Sequence, residues 1–277
     1  MSPIPPIDVV HLLAILDKKL LELLRSLPAA DWEKPTIAGK WRVKDVAAHL
    51  LDGNIRSLSM LRDQYTGEQP NQDADASLIG FLNRLNADWV KAMQRISPEI
   101  LISLLEHTGP AYCRYYQSLD PNGVAGFPVS WAGETESKNW MHIAREYSEK
   151  WIHQQQIRDA VQQPGLLSAE FFIPLMDTFL RALPHTYRNT AAAENTSIQI
   201  TITGEVSGNW VLQMQNSHWQ LMKGSPDTTD AQVSIPADIA WRLFSKSLRP
   251  QQVMDQIILS GNISLGETAL HMVSVMA

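Results

Sequence analysis

Trp41–Asp52 reads WRVKDVAAHLLD, and the fold class turns on how this stretch is read. Trp41, Val43, Val46 and Leu50 recur at helical spacing, so the segment is expected to form a helix with one apolar stripe. His49 stands beside that stripe rather than opposite it, which turns its imidazole toward the inside of the molecule. Far downstream, Arg145–Ala160 reads REYSEKWIHQQQIRDA and sets Glu149 and His153 four residues apart. On a helix that spacing stacks the two side chains on one face, one turn apart, where they can hold a single ion.

Spacing alone is a weak signal. With 8 His and 29 acidic residues in 277, an acid four positions ahead of a histidine arises about once by chance. Without context, His49 reads as a core histidine at a helix seam and Glu149 with His153 as an ordinary surface pair.

Composition narrows the function classes. A chain of 277 residues with 44% hydrophobic content can bury a full core and is long enough for two domains. Its net charge is −6 and no run of Lys or Arg exceeds two, which excludes nucleic acid and anionic membrane surfaces as expected partners. The single cysteine, Cys113 in AYCRYY, rules out an internal disulfide and a cysteine-based metal site, and reads as a small buried residue rather than a nucleophile. No N-terminal stretch has the basic, apolar, small-residue order of a signal peptide, and no apolar run is long enough for a membrane span. A cytoplasmic protein acting on small molecules is the expectation. Of the nine tryptophans, Trp41, Trp89, Trp140 and Trp151 fall in predicted helices, consistent with an aromatic core or pocket wall.

In chain order, Met1 to Pro6 is a Pro-rich lead-in without periodicity. Val9, Leu13, Leu16, Leu20, Leu23 and Leu27 then step by four and three, the seam of a helix packed in a bundle. A second helix is expected from about Arg42 to Tyr65, a polar loop over 66–76, and a third helix carrying Leu78, Leu82, Leu85, Trp89, Ala92 and Ile96. Ser97, Pro98 and Glu99 look like the cap and first turn of a short helix through Glu106, followed by an irregular segment from His107 to Lys138. The fourth long helix is expected from about Ser137 to Gln162. With Trp140 at zero on its wheel, Ala144, Tyr147 and Trp151 cluster together, whereas Glu149 and His153 lie on the opposite, polar face with His142. Such a face is either solvated or the lining of an internal cleft; His142 is an alternative ligand.

After Gln163, Pro164 and Gly165 the pattern changes. A helix from about Ser168 to Leu183 precedes strand-like alternation at Ile198, Ile200 and Ile202, at Trp210, Leu212 and Met214, and at Trp219 and Leu221. Val233 and Ile235 make a further strand, then a helix carries Ile239, Trp241, Leu243 and Phe244. A helical stretch near Gln251, a short strand near Ile257 and a terminal helix from about Ser264 complete the unit. The expected fold class is α plus α+β: an N-terminal four-helix bundle over 1–165 and a smaller C-terminal α+β domain over 166–277.

The stretch W-x-V-x-D-x-x-A-H-L opening the second helix, with E-x-x-x-H and an I-R-D-A tail on the fourth, resembles the metal-binding domain of mycothiol-dependent maleylpyruvate isomerases, part of the DinB-like four-helix superfamily. The resemblance covers roughly residues 8 to 165. It implies three metal ligands, His49, Glu149 and His153. Where relatives often carry an acid three residues after the last ligand, this chain has Gln156. AQVSIPADIAWRLFSKSLRP and LSGNISLGE make the second half similar to sterol-carrier-protein-type-2-like domains. The isomerases also place an arginine from their small domain at the active site, for which Arg242 and Arg249 are the candidates here.

Two imidazoles and one carboxylate leave a divalent ion open positions, the pattern of a catalytic site. Zinc is the expected ion, with nickel, cobalt or iron compatible with the same ligands. The resemblance implies a low-molecular-weight thiol as cofactor, whose thiolate adds to a conjugated double bond of a small substrate; rotation and elimination give an isomerase, addition alone an S-transferase. The competing expectation is a non-catalytic protein that binds metal, or an apolar ligand through the C-terminal domain beside Trp210, Trp219 and Trp241.

Overall fold

The computed structural model describes residues 2–70, 77–224, 226 and 228–275, so 71–76 of the expected polar loop lie outside the described residues. A mostly helical N-terminal region is followed by a mixed sheet-and-helix domain, as expected. The helices are α1 (Val10–Ser26), α2 (Val43–Arg56), α3 (Leu78–Met93), α4 (Pro98–Gln117), α5 (Asn139–Val161), α6 (Ala169–Phe179), α7 (Leu183–Thr186), α8 (Ala237–Phe244) and α9 (Ile263–Glu267). The strands are β1 (Ser2–Pro3), β2 (Ser197–Thr203), β3 (Gly208–Gln215), β4 (His218–Lys223), β5 (Ala231–Pro236) and β6 (Ile258–Gly261). Two compact units divide these elements. Asp8–Gly126 and Glu146–Gly165 form a helical unit, and Phe127–Arg145 and Leu166–Val275 join the N-terminal strand in an α+β unit. Helix α5 therefore begins in one unit and continues in the other.

In the helical unit the periodic leucines of α1 meet the inner faces of α2, α4 and α5. Leu20 and Leu24 pack with Val43, Val46, Ala47, Leu51, Leu101, Leu105, Ile157 and Val161 in one buried cluster. Helix starts follow local chemistry. The Asp45 carboxylate accepts from the backbone N–H of Arg42 at 2.9 Å, opening α2. Ser97 caps α4, with Pro98 in its first turn.

Helix α4 does not stop at Glu106. It runs to Gln117 through Gly109 and Pro110, which shortens the irregular segment to 118–138. A proline inside a helix costs about 3 kcal/mol. Tyr112 and Tyr116 lie on the buried face beyond it, and two such rings each remove on the order of 150–250 Å² from water at about 25 cal/mol per Å², which outweighs that cost. Gly109 is needed because a Cβ there would collide with the Asp17 carboxylate of α1.

The α5 face that carries His142, Glu149 and His153 is largely internal: His142 and Gln156 are buried and the His153 side chain is 13% exposed, whereas the Glu149 side chain is 40% exposed. Off that face Lys150, Gln154 and Gln155 are buried too, as are Tyr147 and Trp151 on the aromatic side. Burial of so many polar groups requires partners. The Lys150 ammonium donates to Asn54 Oδ1 of α2 at 2.8 Å and to Asp17 Oδ1 at 3.2 Å, and sits 4.3 Å above the Tyr112 ring. Asn54 in turn donates to Thr108 of α4, and Gln154 to the Leu16 carbonyl of α1. These polar contacts tie α5 to α1, α2 and α4.

The α+β unit holds a six-stranded sheet in the order β1-β4-β3-β2-β5-β6, antiparallel except for the β2–β5 pair. Ile198, Ile200 and Ile202 are fully buried, with Ile200 opposite Trp210 on one side and Val233 on the other. Asn216 and Ser217, both at positive φ, turn β3 into β4. The Pro-rich lead-in is not structureless: Ser2 and Pro3 pair with Lys223 and Met222 at the sheet edge, where a proline's missing N–H is tolerated. Trp210, Trp219 and Trp241 are all core residues. The indole of Trp210 donates to Asp177 Oδ1 at 2.6 Å and that of Trp219 to the Thr190 carbonyl at 2.9 Å. Among the described residues, no helix is long and apolar enough to cross a membrane.

Candidate metal centre

Helix α2 supplies His49 and α5 supplies Glu149 and His153. One nitrogen from each imidazole and one carboxylate oxygen all lie within 4.8 Å of one another. The His49 and His153 rings are 4.6 Å apart, centroid to centroid, and nearly perpendicular. His153 Nε2 is 3.3 Å from Glu149 Oε2, as the i, i+4 spacing requires.

The other nitrogen of His153, Nδ1, lies 2.8 Å from Oε1 of Gln156. A carbonyl oxygen only accepts, so Nδ1 is the donor in this contact, which leaves Nε2 to ligate an ion shared with Glu149 and His49. Gln156 does the orienting work that a carboxylate does in many metal sites. It follows its histidine by three residues, the one signal in the sequence that marked it.

Trp41 forms a wall of the cluster, its ring 4.9 Å from that of His49 and 6.3 Å from that of His153. His49 is held well below the usual histidine range, first by the hydration it loses on burial and then by its proximity to His153 and to the Arg56 guanidinium. A neutral imidazole is the form that ligates a cation. His49 Nδ1 is sealed from solvent and has no hydrogen-bond partner among the described residues, a cost of about 1–3 kcal/mol unless something else satisfies it. Two neutral imidazoles, a carboxylate and an orphaned buried nitrogen fit a divalent cation, and the three protein ligands leave coordination positions open.

Two further residues of the α2 face carry charge beside the cluster. Asp52 is buried, and that burial raises its carboxyl above the usual range against the opposing pull of Arg56. Arg56 Nε lies 3.0 Å from Asp52 Oδ2. Their spacing from His49, three and seven residues, places them on the histidine's side of the helix; sequence reading passed over them because an Asp–Arg pair one turn apart is common on any helix.

Of the other expected residues, His142, Arg242 and Arg249 belong to the α+β unit. His142 is buried and stacks edge-on toward Phe127; it is not one of the clustered ligands. Arg242 pairs with Asp238 one turn earlier and lies over the Trp241 ring, and Arg249 is exposed with its backbone N–H donating to Gln252. Cys113 is buried among Tyr112 and Tyr116, as its surroundings in the sequence suggested.

No curated protein matches this chain in sequence. Among solved structures, it is similar to the crystal structure of the mycothiol-dependent maleylpyruvate isomerase, at 13% identity and a TM-score of 0.55 over 94% of this chain and 96% of that one. A histidine-to-alanine mutant of that isomerase aligns over the same shares at 12% identity and the same TM-score. Likeness at this level of identity shows the shared fold. The solution structure of the sterol carrier protein domain 2 of Helicoverpa armigera aligns over 37% of this chain and 86% of its own, at 17% identity and a TM-score of 0.29. Residues 13–158 match the mycothiol maleylpyruvate isomerase N-terminal domain, more than half of the sequence, and the chain belongs to that family.

Proposed function

We propose that the protein is a divalent-metal-dependent, thiol-using isomerase or S-transferase acting on a small unsaturated acid. The observation that carries this reading is the convergence of His49, Glu149 and His153 within 4.8 Å from two helices far apart in sequence. Family membership supports it. Bound there, a divalent cation, zinc first and nickel, cobalt or iron as alternatives, would stabilise the thiolate of a low-molecular-weight thiol at neutral pH and polarise a carbonyl oxygen.

The protein's own groups have separable tasks in this reading. His49 and His153 offer neutral nitrogens and Glu149 one negative charge, so the ligand set neutralises only part of the ion's charge. Gln156 fixes the His153 tautomer. Trp41 covers one side of both imidazoles and keeps water from that side. Arg242 and Arg249 stand as candidates for a substrate-binding arginine on the family resemblance alone, and the C-terminal sterol-carrier-type reading rests on sequence resemblance in the same way. The competing apolar-ligand reading draws on Trp210, Trp219 and Trp241, which are buried in the α+β unit.

Elemental analysis of protein purified without an affinity tag, beside His49→Ala and Glu149→Ala variants, tests the proposal. One divalent ion per chain, lost in both variants while the helical circular dichroism persists, is the expected result. A wild type that takes up no metal on reconstitution would overturn it. With metal established, thiols are screened together with unsaturated acids for isomerisation or addition.

A further inference from the structure

His49, Asp52 and Arg56 follow one another at spacings of three and four and so share one face of α2. The Arg56 side chain folds back toward the helix N-terminus, the usual direction for long helical side chains, and its Nε meets Asp52 Oδ2 at 3.0 Å. Its Nη2 donates to Asn86 Oδ1 of α3 at 3.4 Å. The guanidinium is thereby drawn back to the level of residue 52, on the order of 5 Å along the axis from His49.

The pair is asymmetric. The Asp52 side chain is 8% exposed, whereas that of Arg56 is 31% exposed. The carboxylate is the buried anchor, and the arginine is the more exposed partner of the two. With Nε and one Nη2 proton engaged, Nη1 has no hydrogen-bond partner among the described residues, so the Nη1/Nη2 edge remains available. That edge is the one that grips a carboxylate with two parallel hydrogen bonds. Immediately after Arg56 the helix widens into a π-turn over Ser57–Arg62, a distortion that recurs at functional sites.

We propose that Arg56 is the anion-recognition residue of the metal pocket, gripping the carboxylate of a small ligand whose thiol or oxygen end takes an open position on the ion. The inference rests on the metal-site reading above and assigns a residue of this chain to the acid group of its ligand. Asp52 cancels part of the guanidinium charge, which favours a singly charged carboxylate over a phosphate dianion. Trp41, against both imidazoles, offers an apolar wall to the carbon skeleton.

The test uses cobalt(II)-loaded protein and its d–d absorption as a direct readout of ligand binding. It is titrated with 3-mercaptopropionate and with 2-mercaptoethanol, which share a thiol and differ in the carboxylate. Wild type is expected to prefer the carboxylate-bearing thiol about tenfold or more, the worth of one charge-assisted hydrogen-bond pair. Arg56→Met is expected to keep cobalt and 2-mercaptoethanol affinity and to lose that preference. Arg56→Lys retains a charge beside Asp52 but no fork, so it guards against misfolding of the first variant and is expected to lose most of the preference. Equal binding of the two thiols by wild type, or an undiminished preference in the Lys variant, overturns the assignment. Failure of wild type to take up cobalt is a separate outcome that overturns the metal-site reading and this inference with it.

Discussion

His153 Nδ1 lies 2.8 Å from Gln156 Oε1, so a neutral amide stands where many metal-binding histidines lean on a carboxylate. The amide fixes the tautomer but pushes less electron density onto Nε2 than a carboxylate would. Gln156→Leu, which leaves Nδ1–H without an acceptor, is expected to weaken metal affinity by about 10–100-fold. Gln156→Glu is expected to strengthen it while lowering the stability of the metal-free protein, because Gln156 is buried and an uncompensated carboxylate there is costly. Competition with a chromophoric chelator measures the first effect and thermal denaturation of chelated protein the second. Unchanged affinity in both variants would show that the contact does not support the ligand.

The Lys150–Asp17 pair is more than nine-tenths buried on both sides. Lys150→Met strands a carboxylate in the core and is expected to destabilise the protein by about 3–5 kcal/mol in urea unfolding. Adding Asp17→Leu removes the stranded charge and is expected to recover a large part of that loss. A double variant no more stable than Lys150→Met would show that the network's value lies in its geometry rather than in charge compensation.

Burial pushes the Cys113 thiol up to about 11, with Lys150 opposing and Asp17 reinforcing the shift. At pH 8 the thiolate fraction is then on the order of 100-fold below that of an unperturbed thiol. Alkylation by iodoacetamide under native conditions is expected to be slower than that of a free thiol by at least that factor. Rapid native labelling would contradict the buried placement.

Burial also raises the Asp177 carboxyl above the usual range, against the hydrogen bond from Trp210 and the positive charges of Lys223 and Arg181. A group whose pKa is raised on folding contributes most stability below its unfolded pKa, and that contribution is lost as pH rises through the folded value. At pH 7 the ionised Asp177 is therefore a net cost. Asp177→Asn, which still accepts from the Trp210 indole, is expected to raise the melting temperature at pH 7 and to lose its advantage near pH 4. An advantage of equal size at both pH values would assign the effect to packing.

The local physics of the chain was enough for the fold class, the helix starts at Arg42 and Ser97, and the alternating isoleucines of β2, because periodicity, capping and pleat are properties of a few neighbouring residues. It was also enough to pair Glu149 with His153, one turn apart on one helix. Tertiary contacts decided the rest. Helix α4 continues through Pro110 because distant burial of Tyr112 and Tyr116 outweighs a local penalty. Lys150 of α5 is held in the interior because Asp17 and Asn54, from two other helices, arrive to pair it. No spacing rule reveals a partner supplied from another helix. For the same reason the sequence itself proposed His49 as a helix histidine facing inward, and only the packing of α2 on α5 sets its ring 4.6 Å from that of His153. It likewise takes the fold to draw the Arg56 guanidinium back beside Asp52 and Asn86, since the direction of a flexible side chain is determined by what it meets.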